Sequence, residues 1–470
     1  MQRPTLMNHY IEQIYTNCLA QASYYLESEG EVAIIDPIRE PDYYLRKAAE
    51  RGATIKYVLE THFHADFVSG HQELASATGA TIVYGPEAVS QYPILNLADD
   101  ESITLGKLTI KALHTPGHTP ESTCFLVSEQ AGKYVALFSG DTLFVGDVGR
   151  PDLLDGVIVS KEDQLKRLYT SLEKIKALPD DLVVYPAHGP GSMCGKTIGT
   201  EKQTTIGQEK ANNYALQPMD FETFCKTILE DQLPAPRYFV QNALINRKGY
   251  EPLDQVVERG TQALSADSVK QAIASGAVLL DCRTAEAFSA GFIKGAINVG
   301  LSGQFAIWVG TLWDVTQPLV VVAAEGQAKE AITRLARVGF DSVLGVVGMP
   351  QSEWSQHFEL DHIPNISPEA FITQAQGHPH QVLDVRRVAE YNKGHLPDAI
   401  ISPLRDLRQG LLSLDKTQPW QVHCAGGYRS MIAASMLKAN GFEDVSNIIG
   451  GYGAIVAATK SAAESVENPA

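Results

Sequence analysis

The chain has 470 residues, 44% hydrophobic and 20% charged, with a formal net charge of −17. That length allows about three globular domains with full cores. The acidic balance argues against nucleic acid or an anionic membrane as partner, and no run of 18 apolar residues is present to span a bilayer.

The N-terminal stretch Met1-Gln2-Arg3-Pro4-Thr5 lacks the charged-then-apolar pattern of a secretory signal. Cysteines stand at 18, 124, 194, 225, 282 and 424 with no CxxC, which reads as a reduced, cytoplasmic protein. Strand-like alternation occupies Tyr10–Ile14, Ala22–Leu26 and Val32–Asp36, and Asp36-Pro37 closes the third strand with a turn. Cys18, among these strands, is expected to be a small buried packing residue. A helix over 41–51 follows, with Leu45, Ala48 and Ala49 on one face and Gly52 as its stop.

The next apolar run, Tyr57-Val58-Leu59, ends in Glu60-Thr61-His62-Phe63-His64-Ala65-Asp66. Two histidines and a carboxylate at alternate positions of a strand mouth suit a borderline transition metal. Three later stretches repeat the device: Thr115-Pro116-Gly117-His118-Thr119, Phe138-Ser139-Gly140-Asp141-Thr142 and Tyr185-Pro186-Ala187-His188-Gly189. Each sets a His or Asp where a strand-like run yields to a Gly- or Pro-containing loop, and together they predict a metal site. Singly, each histidine would read better as an ordinary surface or core residue. A helix over 67–78 ends at Gly79 and places His71 on its surface, while His114 positions its loop and does not ligate. Strands at 108–113, 122–128 and 133–139, a helix over 160–177 and a strand at 182–185 deliver the later site residues.

The order HxHxD, H, D, H resembles the metallo-β-lactamase superfamily over roughly residues 9–250, which implies an αβ/βα four-layer sandwich. Two-metal hydrolases of that superfamily carry HxHxDH, but here Phe67 follows Asp66, and a phenyl ring cannot ligate. The resemblance then points to the persulfide dioxygenases. It implies one Fe(II) per chain held by His62, His118 and Asp141, with His64, Asp66 and His188 orienting ligands or substrate from outside the metal's shell. The competing assignment makes those three the ligands of a second metal.

Beyond His188 runs Gly189-Pro190-Gly191-Ser192-Met193-Cys194-Gly195-Lys196, a small-residue loop that lets backbone approach a ligand. Its GSxCGK stretch resembles the multidomain persulfide dioxygenase–rhodanese fusions. Cys194 is expected to border the iron pocket and to accept sulfane sulfur there, with Lys196 favouring its thiolate. The bland alternative is a buried inert thiol. Helices over 201–213 and 220–231 and the Pro-rich 233–239 complete a first domain, 1–250, and residues 246–260 read as a linker.

The remainder repeats internally. Val278-Leu279-Leu280-Asp281-Cys282-Arg283 matches Gln381-Val382-Leu383-Asp384-Val385-Arg386, and Val338-Gly339-Phe340 matches Asn440-Gly441-Phe442. Each copy, 261–360 and 363–465, alternates strand-like and helix-like runs and so predicts an α/β unit with a parallel sheet. Both look like rhodanese domains. In the second, Cys424 opens the loop Ala425-Gly426-Gly427-Tyr428-Arg429-Ser430 ahead of a helix over 431–439. Backbone N–H groups and the helix dipole there would stabilise a thiolate and hold a persulfide's anionic outer sulfur. Cys-x4-Arg matches the six-residue sulfur-transfer loop, which makes Cys424 and Arg429 the catalytic pair. His423 should face away and pack. In the first copy Ala324 replaces the cysteine and Glu325 adds charge, so that copy looks inactive. Cys282 reads as a packing residue, and His357, His362, His378 and His380 as surface residues.

These resemblances imply an enzyme that oxidises a low-molecular-weight thiol persulfide with O2 to sulfite and thiol. Cys424 then passes sulfane sulfur to sulfite to give thiosulfate, as sulfide detoxification. Its partners would be the persulfide, O2 and sulfite, with neither nucleic acid nor membrane, in a homo-oligomer. The alternatives are a zinc-dependent glyoxalase II-type thioester hydrolase with an appended sulfurtransferase, and a non-catalytic persulfide sensor.

Overall fold

The computed structural model describes residues 9–157, 159–375 and 381–467. They fall into two compact units. One runs to Asp254 and includes Ala336–Gly339; the other holds Gln255–Leu335 and the chain from Phe340 on. His378 and His380 lie outside the described residues.

The first unit is built on two six-stranded sheets. One takes β1 (Tyr10–Thr16), β2 (Gln21–Ser28), β3 (Glu31–Ile35), β4 (Thr54–Leu59), β5 (Thr81–Tyr84) and β6 (Leu95–Asn96) in that order. The other takes β7 (Ser102–Leu105), β8 (Leu108–His114), β9 (Thr123–Glu129), β10 (Tyr134–Gly140), β11 (Val183–Pro186) and β12 (Thr204–Thr205). Strand alternation assigns the layers. Tyr24, Leu26, Ala33 and Ile35 meet Ile110, Ala112, Phe125, Val127 and Phe138 between the sheets. Their neighbours Tyr25, Val32, Ile34 and Val58 turn outward onto Tyr44, Ala48 and Leu74 of two helices, Asp42–Arg51 and His71–Thr78. On the far side Leu126, Leu137 and Val184 pack on Leu165, Leu168 and Leu172 of the helix Lys161–Lys176. Both faces of each sheet are thus buried, each large apolar side chain contributing about 1.5–3 kcal/mol. The result is a metallo-β-lactamase αβ/βα sandwich. The helix Lys161–Lys176 is capped by Ser160, whose side chain accepts from Asp163 N–H, and carries acids in its first turn and lysines in its last.

Several local expectations need correction. The expected linker at 246–260 is largely helical, as Tyr238–Lys248 and Leu253–Gly260. Gly249 and Pro252 between them mark only a break, and Val256 is buried. The helix expected over 67–78 starts only at His71, after an antiparallel bridge between Ile38 and Ser69. His71 is not on the surface: it is fully buried among Glu60, Tyr92 and Tyr250. Cys18 is half-buried and not a core thiol. The helix expected from 201 is Ile206–Asn212, preceded by the short β12.

The second unit contains two parallel five-stranded sheets with one strand order. The first runs Ala263–Leu264, Val343–Val347, Leu319–Val322, Val278–Asp281, Ile297–Asn298. The second runs Asn365–Ile366, Val445–Ile448, Trp420–His423, Gln381–Asp384, Ile400–Ile401. The repeated Asp-x-Arg makes the same buried ion pair in each: Arg283 to Asp281 and Arg386 to Asp384, both at 2.6 Å. Each arginine also donates to a glycine carbonyl, Gly291 or Gly394. These are rhodanese-like α/β domains. Cys282 is buried at a strand end, and His357 and His362 are exposed.

Candidate metal centre and sulfur-transfer loop

The loops after β4, β8, β10 and β11 bring His62, His118, Asp141 and His188 together, all buried. Donor atoms of His62, His118 and Asp141 lie within 4.8 Å of one another. His118 Nε2 is 3.2 Å and His62 Nε2 3.9 Å from Asp141 Oδ2. The rear nitrogens are anchored: His62 Nδ1 is 3.0 Å from Thr61 Oγ1, and His118 Nδ1 2.9 Å from the Arg150 carbonyl. Donation from His118 Nδ1–H leaves Nε2 as a free lone pair, the arrangement a metal-ligating imidazole needs. Burial, with His64 and His118 nearby, holds His62 well below the ordinary imidazole range. Burial also lowers His118, although Asp141 opposes the shift.

Both Nε2 atoms and both Asp141 oxygens are buried without a hydrogen-bond partner. An unpaired buried polar atom costs about 1–3 kcal/mol, so the two Nε2 atoms and Asp141 Oδ2, which face one another, fit a divalent cation. Gly149 is required here, because a Cβ would stand 2.0 Å from the Asp141 carbonyl and 2.9 Å from His118 Nδ1.

His64 is turned away from this set. Its Nε2 lies 3.0 Å from Asp36 Oδ1 and 3.6 Å from Glu60 Oε2, and its ring packs on Phe67 at 4.4 Å. Burial alone would lower its pKa, but Asp36 and Glu60 lift it to about 9. Asp36 also accepts from Thr61 N–H and Oγ1–H at 2.8 and 2.9 Å. The sequence shows Asp36 only as a turn residue and leaves Glu60 unassigned. The missed signal was an Asp at a strand end, as at the other site loops. His114 Nε2 lies 3.0 Å from the Pro120 carbonyl, at the loop's base.

Asp66, His188 and Cys194 form a second buried group with donor atoms within 4.8 Å. His188 Nε2 is 3.5 Å from both Asp66 Oδ2 and Asp141 Oδ1, so Asp141 faces both groups. Cys194 thus supplies this group with a third donor, which the phenyl ring of Phe67 cannot. Lys196 does not assist this thiol. Its ammonium donates to the Thr227 and Glu230 carbonyls and sits over the Tyr214 ring. Burial, then Asp66 and Asp141, push the Cys194 thiol well up.

In the second unit, Cys424 is buried at the end of the strand Trp420–His423, before the helix Tyr428–Ala439. Gly427 N–H donates to its Sγ at 3.1 Å, and Ser430 Oγ is 3.6 Å away. Gly427 takes φ 103°, a left-handed turn that aims its N–H at the sulfur and that a side chain would strain. Arg429 is held by Glu390 through two hydrogen bonds of 2.7 and 2.8 Å, and that contact keeps the Glu390 carboxyl ionised down to about 2. His423 is buried with its ring over Tyr452, and Ala425, Gly426 and Tyr428 complete the loop. In the first copy Gln327 N–H, at the position of Gly427, donates instead to the Ala324 carbonyl.

Residues 16–188 match the metallo-beta-lactamase superfamily, and residues 265–348 and 367–458 each match the rhodanese-like domain. A solved metallo-beta-lactamase structure from Staphylococcus aureus subsp. aureus COL is 34% identical. It aligns with a TM-score of 0.66 over 72% of this chain and 99% of that one. Among curated proteins, a probable hydroxyacylglutathione hydrolase of Schizosaccharomyces pombe is 34% identical over 33% of this chain and 58% of its own. The cytoplasmic hydroxyacylglutathione hydrolase of Arabidopsis thaliana is 33% identical over 36% of this chain and 65% of its own. The chain thus spans less than two thirds of either curated relative. No helix of the described residues is long and apolar enough to cross a membrane.

Proposed function

This chain belongs to the metallo-β-lactamase superfamily and carries rhodanese-like domains, and from that premise we propose that it is a persulfide dioxygenase coupled to a sulfurtransferase. The observation that carries the reading is the donor set: two neutral imidazoles and one carboxylate converge, with His64 withdrawn onto Asp36. Two nitrogens, one oxygen and open positions suit non-haem iron. Bound there, Fe(II) would supply the one-electron chemistry that lets O2 react. The overall reaction is R–S–SH + O2 + H2O giving R–SH, sulfite and two protons. His62, His118 and Asp141 hold the ion, while Thr61 and the Arg150 carbonyl fix ring orientation. Asp66 and His188 face the remaining side and orient substrate or hold a proton. At Cys424 the thiolate takes the outer sulfur of a second persulfide and R–S⁻ leaves. Sulfite then attacks that sulfur to release thiosulfate and the thiolate.

Cys194 is proposed as a sulfur acceptor beside this site. Cys194→Ser should change the sulfite-to-thiosulfate ratio or the turnover, with iron content and Cys424 sulfurtransfer unaltered. Peptide mass spectrometry after substrate and alkylation should find a persulfide on Cys194. Wild-type kinetics together with an unmodified peptide would leave it a packing residue.

One observation favours a second reading. Asp66, His188 and Cys194 could hold a second metal, and the curated relatives are named as hydroxyacylglutathione hydrolases. A two-zinc thioester hydrolase would follow. Metal analysis of anaerobically purified protein separates the two. The dioxygenase reading expects about one iron per chain and oxygen uptake when glutathione persulfide is added. Two zinc ions per chain, with thioester hydrolysis and no oxygen uptake, would overturn it.

A further inference from the structure

The copy that lacks a nucleophile still reaches the nucleophile of the other. A cavity of about 450 Å³ opens over Cys424, and Gln304 and Trp308 of the first rhodanese-like copy form part of its wall. Arg387, Glu390 and Arg429 of the second copy form the rest, with Gly426 and Tyr428 of the loop. Apart from Ala336–Gly339, both copies belong to one compact unit.

Gln304 immediately precedes the helix Phe305–Leu312 and Trp308 N–H donates to its carbonyl, so the two residues stand one turn apart, and both line the cavity. Two further contacts tie this wall to the reactive loop. Tyr428 Oη–H donates to the Gly300 carbonyl at 2.7 Å, and Asn298 N–H donates to Ser435 Oγ at 3.0 Å, on the helix that follows Cys424.

The size of the cavity bears on the donor. A pocket of roughly 300–1,000 Å³ holds a small organic molecule. An inorganic sulfane donor such as thiosulfate has five heavy atoms and displaces only a few waters, at roughly 30 Å³ each. Charge points the same way. Glu390 already engages Arg429 through both terminal guanidinium nitrogens, so part of the charge that would draw a small dianion is spent within the pocket. An indole face adds nothing for an inorganic anion, but it packs well against an organic body.

We propose that the first copy is retained as a substrate-binding wall, and that Trp308 and Gln304 select an organic thiol persulfide over inorganic thiosulfate as sulfur donor to Cys424. This rests on the sulfurtransferase half of the function proposed above and not on the metal. Cys424 thiolate attacks the outer sulfur of R–S–SH, the new bond joins Sγ to that sulfur, and the old S–S bond breaks to release R–S⁻. The proton stays on the transferred sulfur, and no external oxidant or reductant is needed.

The test uses the full chain, with cyanide as acceptor and glutathione, coenzyme A and cysteine persulfides or thiosulfate as donors. Wild type should have a kcat/KM for at least one organic persulfide well above that for thiosulfate. In Trp308→Ala that selectivity ratio should fall about tenfold, mainly through KM for the persulfide, and Trp308→Phe should recover most of it. A ratio unchanged in Trp308→Ala, or a wild type that prefers thiosulfate to all three persulfides, would overturn the proposal. Should Trp308→Ala lose every activity, Gln304→Ala decides, since that side chain is exposed. An unaltered persulfide KM there would overturn it too. Oxygen uptake plays no part in this assay, so failure of the dioxygenase reading would be seen separately.

Discussion

Asp141→Ala is expected to empty the metal site and to reduce persulfide-dependent oxygen uptake by more than the roughly 10–100-fold that loss of an outer-shell partner costs. The carboxylate faces His118 and His62 on one side and His188 on the other, so its loss removes a charge from both donor groups. Thiosulfate:cyanide transfer should continue, because Cys424 belongs to the other compact unit. Retained transfer also reports that the second unit of the variant is folded. Asp141→Asn keeps the shape and removes the charge, and it should fall between alanine and wild type. Metal content and an oxygen electrode measure the outcome. A variant that keeps both its metal and its oxygen uptake would show that the ligand assignment is wrong.

Cys424→Ser is expected to lower sulfurtransfer by at least ~10⁴-fold, the scale on which an enzyme loses activity with its nucleophile. Supplied with persulfide and O2, the variant should release sulfite where wild type gives thiosulfate, apart from what the two form in solution. Adding Ala324→Cys should not restore transfer. In the first copy the amide matching Gly427 N–H is taken by the Ala324 carbonyl, so a sulfur placed there would lack its donor. Ion chromatography of the products reads the result, and an unchanged thiosulfate yield in Cys424→Ser would refute the assignment.

The early strands, the repeat and the positions of the site loops were legible in the sequence alone, and the sandwich followed only from the family resemblance that those loops carry. These depend on local chemistry: alternation in β2 and β3, His and Asp at strand ends, and an Asp-x-Arg pair repeated with its glycine. Such signals lie within a few residues of one another and survive without knowledge of packing. The tertiary structure decided what distant residues do together. Phe67 was legible as a missing donor, but not as the ring on which His64 packs once Asp36, from another strand, engages it. His71 looked like a helix-surface residue. It is buried because Glu60 and two tyrosines close over it, and burial and His64 bring its pKa down to about 3. Lys196 stands two residues from Cys194, yet its long side chain reaches backbone carbonyls elsewhere, since chain proximity does not fix side-chain direction. The wall that Gln304 and Trp308 build over Cys424 was beyond sequence reasoning for the same reason: more than a hundred residues separate them, and only the packing of the two copies brings them to one cavity.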